Sequence, residues 1–159
     1  MRFRMLTETE LDELSDDFTK FLVVQGIDDE LWRKINTENK EKATQIVQIF
    51  SDTVLTKVYS KINYLSFLSD DVFSLFKIEN NTMHLILIKN TNQETGFKGV
   101  NDVYSTLKKG VNHYELYTSS KILKEKLLDE IHKLSVQGCL VSSKKIWDSF
   151  EEFSKKASK

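Results

Sequence analysis

The stretch from Asn39 to Asn63 decides the fold, and it reads NKEKATQIVQIFSDTVLTKVYSKIN. On a helix of about 3.6 residues per turn, its apolar side chains share about half of the circumference, and lysines and acids occupy the rest. A stripe this broad exceeds the narrow seam of a two-stranded coiled coil, so it favours burial against several neighbours. The stripe consists of Ala43, Ile46, Val47, Phe50, Val54, Leu55, Val58 and Ile62. We therefore expect a core helix that packs against whatever follows it.

Two shorter helices are predicted before this core helix. Thr7 and Glu10 have the spacing of a capping box, which starts the first helix. Gly26 is placed to end that helix in the left-handed conformation, and Asp28 is placed to cap the second. Residues 1–63 are therefore predicted to form three helices.

From Tyr64 the periodicity changes from helical to β. Three apolar runs, YLSFLS, VFSLFKIE and MHLILIKN, are separated by polar pairs. The second pair, Asn80-Asn81, tolerates the positive φ angles of a tight hairpin turn. The pattern predicts a three-stranded antiparallel meander over residues 64–90.

Both faces of this predicted sheet are apolar, so each of them needs a cover. We expect the helix from Asn39 to cover one face. A helix beginning at Ser119 or a second copy of the chain covers the other, and the internal helix, hence a monomer, is favoured.

The last part of the chain is predicted to be mainly helical. Asn101 is expected to cap a short helix that ends at Gly110, and Thr118 or Ser119 to cap a longer one that ends at Gly138. Ser142 or Ser143 is expected to cap the last helix, whereas residues 113–117 suit either a strand or a helical turn. The fold class is therefore α+β, with a C-terminal helical segment covering the sheet. We expect a single domain over residues 1–159, helical at 1–63, sheet at 64–90, and a loop with helices at 91–159.

The composition is typical of a soluble globular protein. Hydrophobic residues make up 40%, charged residues 30%, and the formal net charge is −1. Cys139 is the sole cysteine, so no intrachain disulfide can form. The start MRFRML lacks the apolar core of a secretory signal, and no run approaches the roughly eighteen apolar residues of a membrane span. We expect a cytoplasmic protein without membrane contact.

No catalytic, metal-binding or cofactor signature occurs in the sequence. His84 lies inside a predicted strand without neighbours suited to catalysis, so we interpret it as structural. His132 and Cys139 are separated by the turn at Gly138, which argues against a nucleophilic pair. The two glycines of the loop at 91–99 match neither a P-loop nor a dinucleotide fingerprint. We therefore expect a protein that is not an enzyme and needs no cofactor.

One segment suggests contact with nucleic acid. Ile131 to Phe150 resembles the first two helices of a winged-helix or helix-turn-helix domain, although the chain reaches Lys159 before the groove-reading helix could form. The formal charge also shifts from −4 over residues 1–60 to +3 over residues 101–159. The alternative function is thus a nucleic-acid-associated protein. Its candidate contacts are Lys108, Lys109, Lys121, Lys124, Lys144 and Lys145.

The start MRFRML, the helical first third and the run YELYTSSK at 114–121 resemble an uncharacterised family of small bacterial cytoplasmic proteins. Such a family has no assigned activity, so the resemblance implies a shared fold and transfers no functional residue. Aromatic residues of the kind that pack in cores are plentiful, whereas convergent polar groups are missing. The leading hypothesis is a non-enzymatic interaction or structural module with an unidentified protein partner.

Overall fold

The structure is a computed structural model that describes residues 1–92, 94–110 and 114–157. It divides into two compact units, Met1–Ser60 and Lys61–Lys159. The packing of the Asn39 helix on the sheet and the single-domain organisation both concern the two units together. Both stay predictions.

The first unit holds four helices where three were predicted. They are α1 (Glu8–Glu13), α2 (Ser15–Val24), α3 (Asp29–Glu38) and α4 (Lys40–Ser60). The backbone leaves the helical conformation at Leu14, where φ is −103° and ψ is 20°, so the first predicted helix is two short ones. The apolar spacing on either side is helical, which is why the sequence concealed this break.

The predicted helix caps of this unit are confirmed. The Thr7 hydroxyl accepts a hydrogen bond from the Glu10 amide at 3.2 Å, and the Glu10 carboxylate accepts one from the Thr7 amide at 2.8 Å. The Arg4 guanidinium, also hydrogen-bonded to Glu10, lowers the pKa of that carboxyl to about 2. Gly26 has a φ of 76°, and the Asp28 carboxylate accepts from the Leu31 amide at 2.7 Å. Local chemistry therefore fixes these helix ends.

The buried stripe of α4 is rotated slightly from the predicted one. Val58 is 48% exposed, and Tyr59 is buried in its place against the edge of the Phe3 ring. The start of the chain runs along α4: the Arg2 and Phe3 amides donate to the Asp52 carboxylate at 2.7 and 3.0 Å. The MRFRML motif therefore packs on α4, and its partners include polar residues of that helix.

The second unit is built on one antiparallel five-stranded sheet in the order β4-β3-β2-β1-β5. The predicted meander is confirmed as its centre, with Asn80 and Asn81 at φ angles of 50° and 60° in the hairpin turn. The prediction of three strands was nevertheless wrong, because a further strand pairs at each edge. The strands are β1 (Tyr64–Leu68), β2 (Val72–Glu79), β3 (Thr82–Asn90), β4 (Tyr114–Ile122) and β5 (Leu140–Val141).

Three helices accompany the sheet: α5 (Val100–Lys108), α6 (Leu127–Val136) and α7 (Lys144–Ala157). Ser143 caps α7 as predicted, whereas α5 follows Gly99 without a side-chain cap, so the role given to Asn101 was wrong. Thr118 and Ser119 lie within β4 and cap no helix. The helical spacing that begins at Leu123 does not extend to earlier residues, because those residues satisfy their backbone groups by pairing with β3.

Residues 114–117 are thus strand, and His113 lies outside the described residues.

The C-terminal helices divide between the two faces of the sheet. One cluster joins α5 and α7 to strands β2 and β3; it comprises Phe73, Leu75, Ile86, Ile88, Phe97, Val103, Leu107, Trp147 and Phe150. Leu134 of α6 instead lies beside Phe67, Ser74 and Phe76, which point to the opposite face. Because the sheet separates α6 from α7, Ile131 to Phe150 does not fold as a helix-turn-helix.

No helix in the described part of the chain combines the length and apolar character needed to cross a lipid bilayer.

Candidate functional site

The most distinctive surface feature of the second unit is the outer edge of β4, the side of this strand that faces away from β3. β4 is the terminal strand of the sheet and is nine residues long. It pairs with β3 at every one of its positions, from Tyr114 opposite Asn90 to Ile122 opposite Thr82. The ladder therefore contains no bulge, and no other described strand pairs with its outer side.

The alternation of the ladder identifies the backbone groups at this edge. Just beyond β4, the Leu123 amide donates to the Asn81 carbonyl at 2.8 Å. In an antiparallel ladder every second residue exchanges hydrogen bonds with the same neighbour, so Glu115, Tyr117, Ser119 and Lys121 bond to β3. The amides and carbonyls that point away from the sheet belong to Tyr114, Leu116, Thr118, Ser120 and Ile122.

Most side chains of β4 are exposed, and the half-buried ones lie at its start. Tyr114 and Leu116 are half-buried against the cluster beneath α7, whereas Ile122 is 70% exposed. Tyr117 is 52% exposed on the other face, and its hydroxyl donates to the Glu115 carboxylate. That hydrogen bond raises the pKa of Tyr117, because the protonated phenol is the donor. The edge therefore presents apolar, hydroxyl and charged groups together.

A cleft of about 630 Å³ adjoins this edge between the strands and α7. On its wall, His84 Nδ1 and the Ser120 hydroxyl lie 2.7 Å apart. Buried Trp147 also lines the cleft, and its Nε1 has no hydrogen-bond partner among the described residues. The charged side chains of the cleft form pairs of opposite charge, one of which joins Lys77 to Glu79 at 3.4 Å.

The His84–Ser120 contact by itself does not make a catalytic centre. Nucleophilic serines need a base that a third group orients, and no described carboxylate contacts His84. Sequence reasoning interpreted His84 as structural and missed its partner, because Ser120 was assigned to a helix. The pairing of β4 with β3, which no local signal encodes, brings the two side chains together.

The six candidate lysines are all exposed, and the structure distributes them over several surfaces. Lys144 and Lys145 lie in the first turn of α7, where Lys144 Nζ contacts the Asp148 carboxylate at 2.6 Å. Lys108 and Lys109 lie at the far end of α5, roughly 10 Å along the helix axis from the turn that neighbours Lys145.

Lys121 projects from β4 on the face opposite α7, and Lys124 follows it in a 3₁₀ turn. Lys121 therefore lies on the opposite side of the sheet from α5 and α7, the helices that carry or adjoin four of the other lysines.

Cys139 is half-buried between α6 and β5, beside Phe67 and Phe76. Burial raises the pKa of its thiol, which disfavours the nucleophilic thiolate. No group of three or more His, Cys, Asp or Glu side chains converges as a metal site within residues 1–92, 94–110 and 114–157.

Comparison with known proteins places both units in one family. No curated protein and no solved structure matches the chain. The family of unknown function DUF6495 matches residues 1–155, a range that includes the MRFRML segment and all of β4. The resemblance to an uncharacterised family is thereby confirmed. The chain belongs to DUF6495, a family of unknown function.

Proposed function

We propose that this protein is a non-enzymatic interaction module of the cytoplasm that binds an extended partner strand at the outer edge of β4. The observation that carries the proposal is a nine-residue edge strand whose outward amides and carbonyls meet no other described strand. In this mode of recognition, main-chain hydrogen bonds supply affinity and alternate side chains supply specificity.

Edge strands that take no partner usually carry features that block pairing. Natural sheets shorten such strands, interrupt them with bulges or proline, place charged side chains on them, or cover them. β4 has a regular ladder, the chain contains no proline at all, and the charged side chains of β4, Glu115 and Lys121, are opposite in sign. The opposite edge is blunted by length, since β5 has only two residues. The contrast supports β4 as the docking edge.

Photocrosslinking in the protein's own cells tests this proposal. Benzoylphenylalanine replaces Tyr117 on β4 in one variant and Leu140 on β5 in its matched control; both positions are exposed. We expect discrete protein adducts from position 117 and none from position 140. Absence of adducts at 117, or equal adducts at both positions, would overturn the proposal.

A second candidate is nucleic-acid association through the six lysines, supported by their common exposure and by the basic balance of residues 101–159. If they contact phosphates, affinity for labelled DNA or RNA falls steeply with added salt. Titration at low salt compares the wild type with Lys144→Glu/Lys145→Glu. Micromolar or tighter binding that this double variant loses would rank this function first, and absence of binding would remove it.

A further inference from the structure

We infer that the strand docking at β4 is β4 of a second copy of this chain, antiparallel, with Thr118 opposite the partner's Thr118. This inference rests on the proposed function and names its partner. It concerns the edge of the sheet and not its faces, so the helices that cover the faces leave it open.

Hydrogen-bond geometry first limits the possible registers. The outward-pointing groups of β4 belong to Tyr114, Leu116, Thr118, Ser120 and Ile122, and only such residues can bond to their equivalents in a second copy. A two-fold axis must therefore pass through a residue position, because an axis between two positions would oppose outward groups to inward ones. Of the registers that remain, the one centred on Thr118 engages all nine residues of the strand.

The side chains of this register are complementary. Glu115 faces the partner's Lys121, and the symmetry repeats that pair, so the strand holds two opposite-charge contacts. Ile122, which is 70% exposed, faces the partner's Tyr114. Thr118 faces the partner's Thr118, a pair favoured across antiparallel strands. Glu115 and Lys121 would repel an unrelated strand that carries like charges opposite them. In the second copy each of them meets a side chain of opposite charge.

Neighbouring registers lose this complementarity. Centring the pair on Ser119 places Tyr117 opposite the partner's Lys121 and leaves Glu115 beyond the partner's strand. Centring it on Tyr117 places Glu115 opposite the partner's Ser119 and leaves Lys121 beyond the partner's strand. Only the Thr118 register opposes the two charges, so the charges report the register.

A charge exchange tests the inference with the full chain. Glu115→Lys sets two lysines opposite each other at both ends of the paired strands, and Lys121→Glu sets two acids opposite each other there. Each variant alone is expected to weaken self-association by about tenfold or more. An equimolar mixture removes this repulsion, because each end then opposes an acid or a lysine of one variant to the unlike charge of the other, so the two variants form a heterodimer. Both residues are exposed, and far-ultraviolet circular dichroism checks that each variant is folded.

Light scattering at micromolar and higher protein concentrations measures the mass of each sample. We expect twice the chain mass for the wild type and the mixture, and the single chain mass for each variant alone. A wild type that stays monomeric, variants that stay dimeric, or a mixture that stays monomeric would overturn the inference. Adducts at position 117 to proteins other than a second copy would then show that the docking function holds with a different partner. Absence of adducts would refute both.

Discussion

The two edges of the five-stranded sheet differ in length and regularity more than in exposed apolar surface. Leu140 and Val141 of β5 are 71% and 70% exposed, and Ile122 of β4 is likewise 70% exposed. Yet β5 offers two residues before α7 begins, whereas β4 offers nine in an unbroken ladder. The capacity to accept another strand therefore depends on how many backbone groups stand in register, because apolar exposure alone does not distinguish the two edges.

The largest expected effect is a difference in stability between a variant beneath the long edge and a variant at the short edge. Phe150→Ala should lower the free energy of unfolding by about 3–5 kcal/mol, because this fully buried ring packs on Phe73 in the cluster that carries β4. Leu140→Ala at the short edge should cost less than about 0.5 kcal/mol. Chemical denaturation of both variants checks this, and equal midpoints would show that the α7 layer does not support the long edge.

A smaller effect distinguishes the inner and outer sides of β4. Ser119→Pro removes an amide that bonds to β3 and should cost about 1–3 kcal/mol. Thr118→Pro removes an outward amide, so in dilute solution, where the chain is monomeric, it should change stability far less. Thermal unfolding of both variants in dilute solution measures the difference. Equal losses would mean that the alternation along β4 is assigned wrongly.

The smallest expected effect concerns the attachment of β5. Because burial raises the pKa of the Cys139 thiol, iodoacetamide should modify it several-fold more slowly at pH 8 than an exposed cysteine, and the rate should rise as the pH increases. Leu140→Pro removes an amide directed at β1 and should speed the reaction, whereas Val141→Pro removes an outward amide and should not.

Alkylation followed by mass spectrometry gives the rates. If the Val141 variant reacts as fast as the Leu140 variant, the two-residue pairing does not hold this edge in place.

The sequence predicts the features that depend on neighbouring residues. Thr7, Asp28, Ser143, Gly26 and the Asn80-Asn81 turn each act within a few residues, and all have the predicted roles. Their capping and turn geometries are set by local backbone chemistry, which a single chain records directly.

The sequence did not predict β5, and it left the start of β4 open between a strand and a helical turn while assigning the rest of that strand to a helix; the reason is tertiary. β4 pairs with residues about thirty positions away in β3, and the helical spacing of Leu123, Leu127 and Ile131 concealed the boundary. β5 is too short to show a period. The candidate edge was missed with them, since the symmetric placement of Glu115 and Lys121 matters only once β4 is known to be terminal. The lysines were named from charge, which does not specify a face.

Amide hydrogen exchange along β4, resolved residue by residue at two protein concentrations, tests most directly whether its outer edge is an open docking surface for a second copy. The amides of Tyr117 and Ser119, which bond to β3, should be protected at both concentrations. The amide of Thr118 should exchange rapidly in dilute protein and become protected in concentrated protein, where the partner's strand covers it. A Thr118 amide whose exchange is the same at both concentrations would contradict the account.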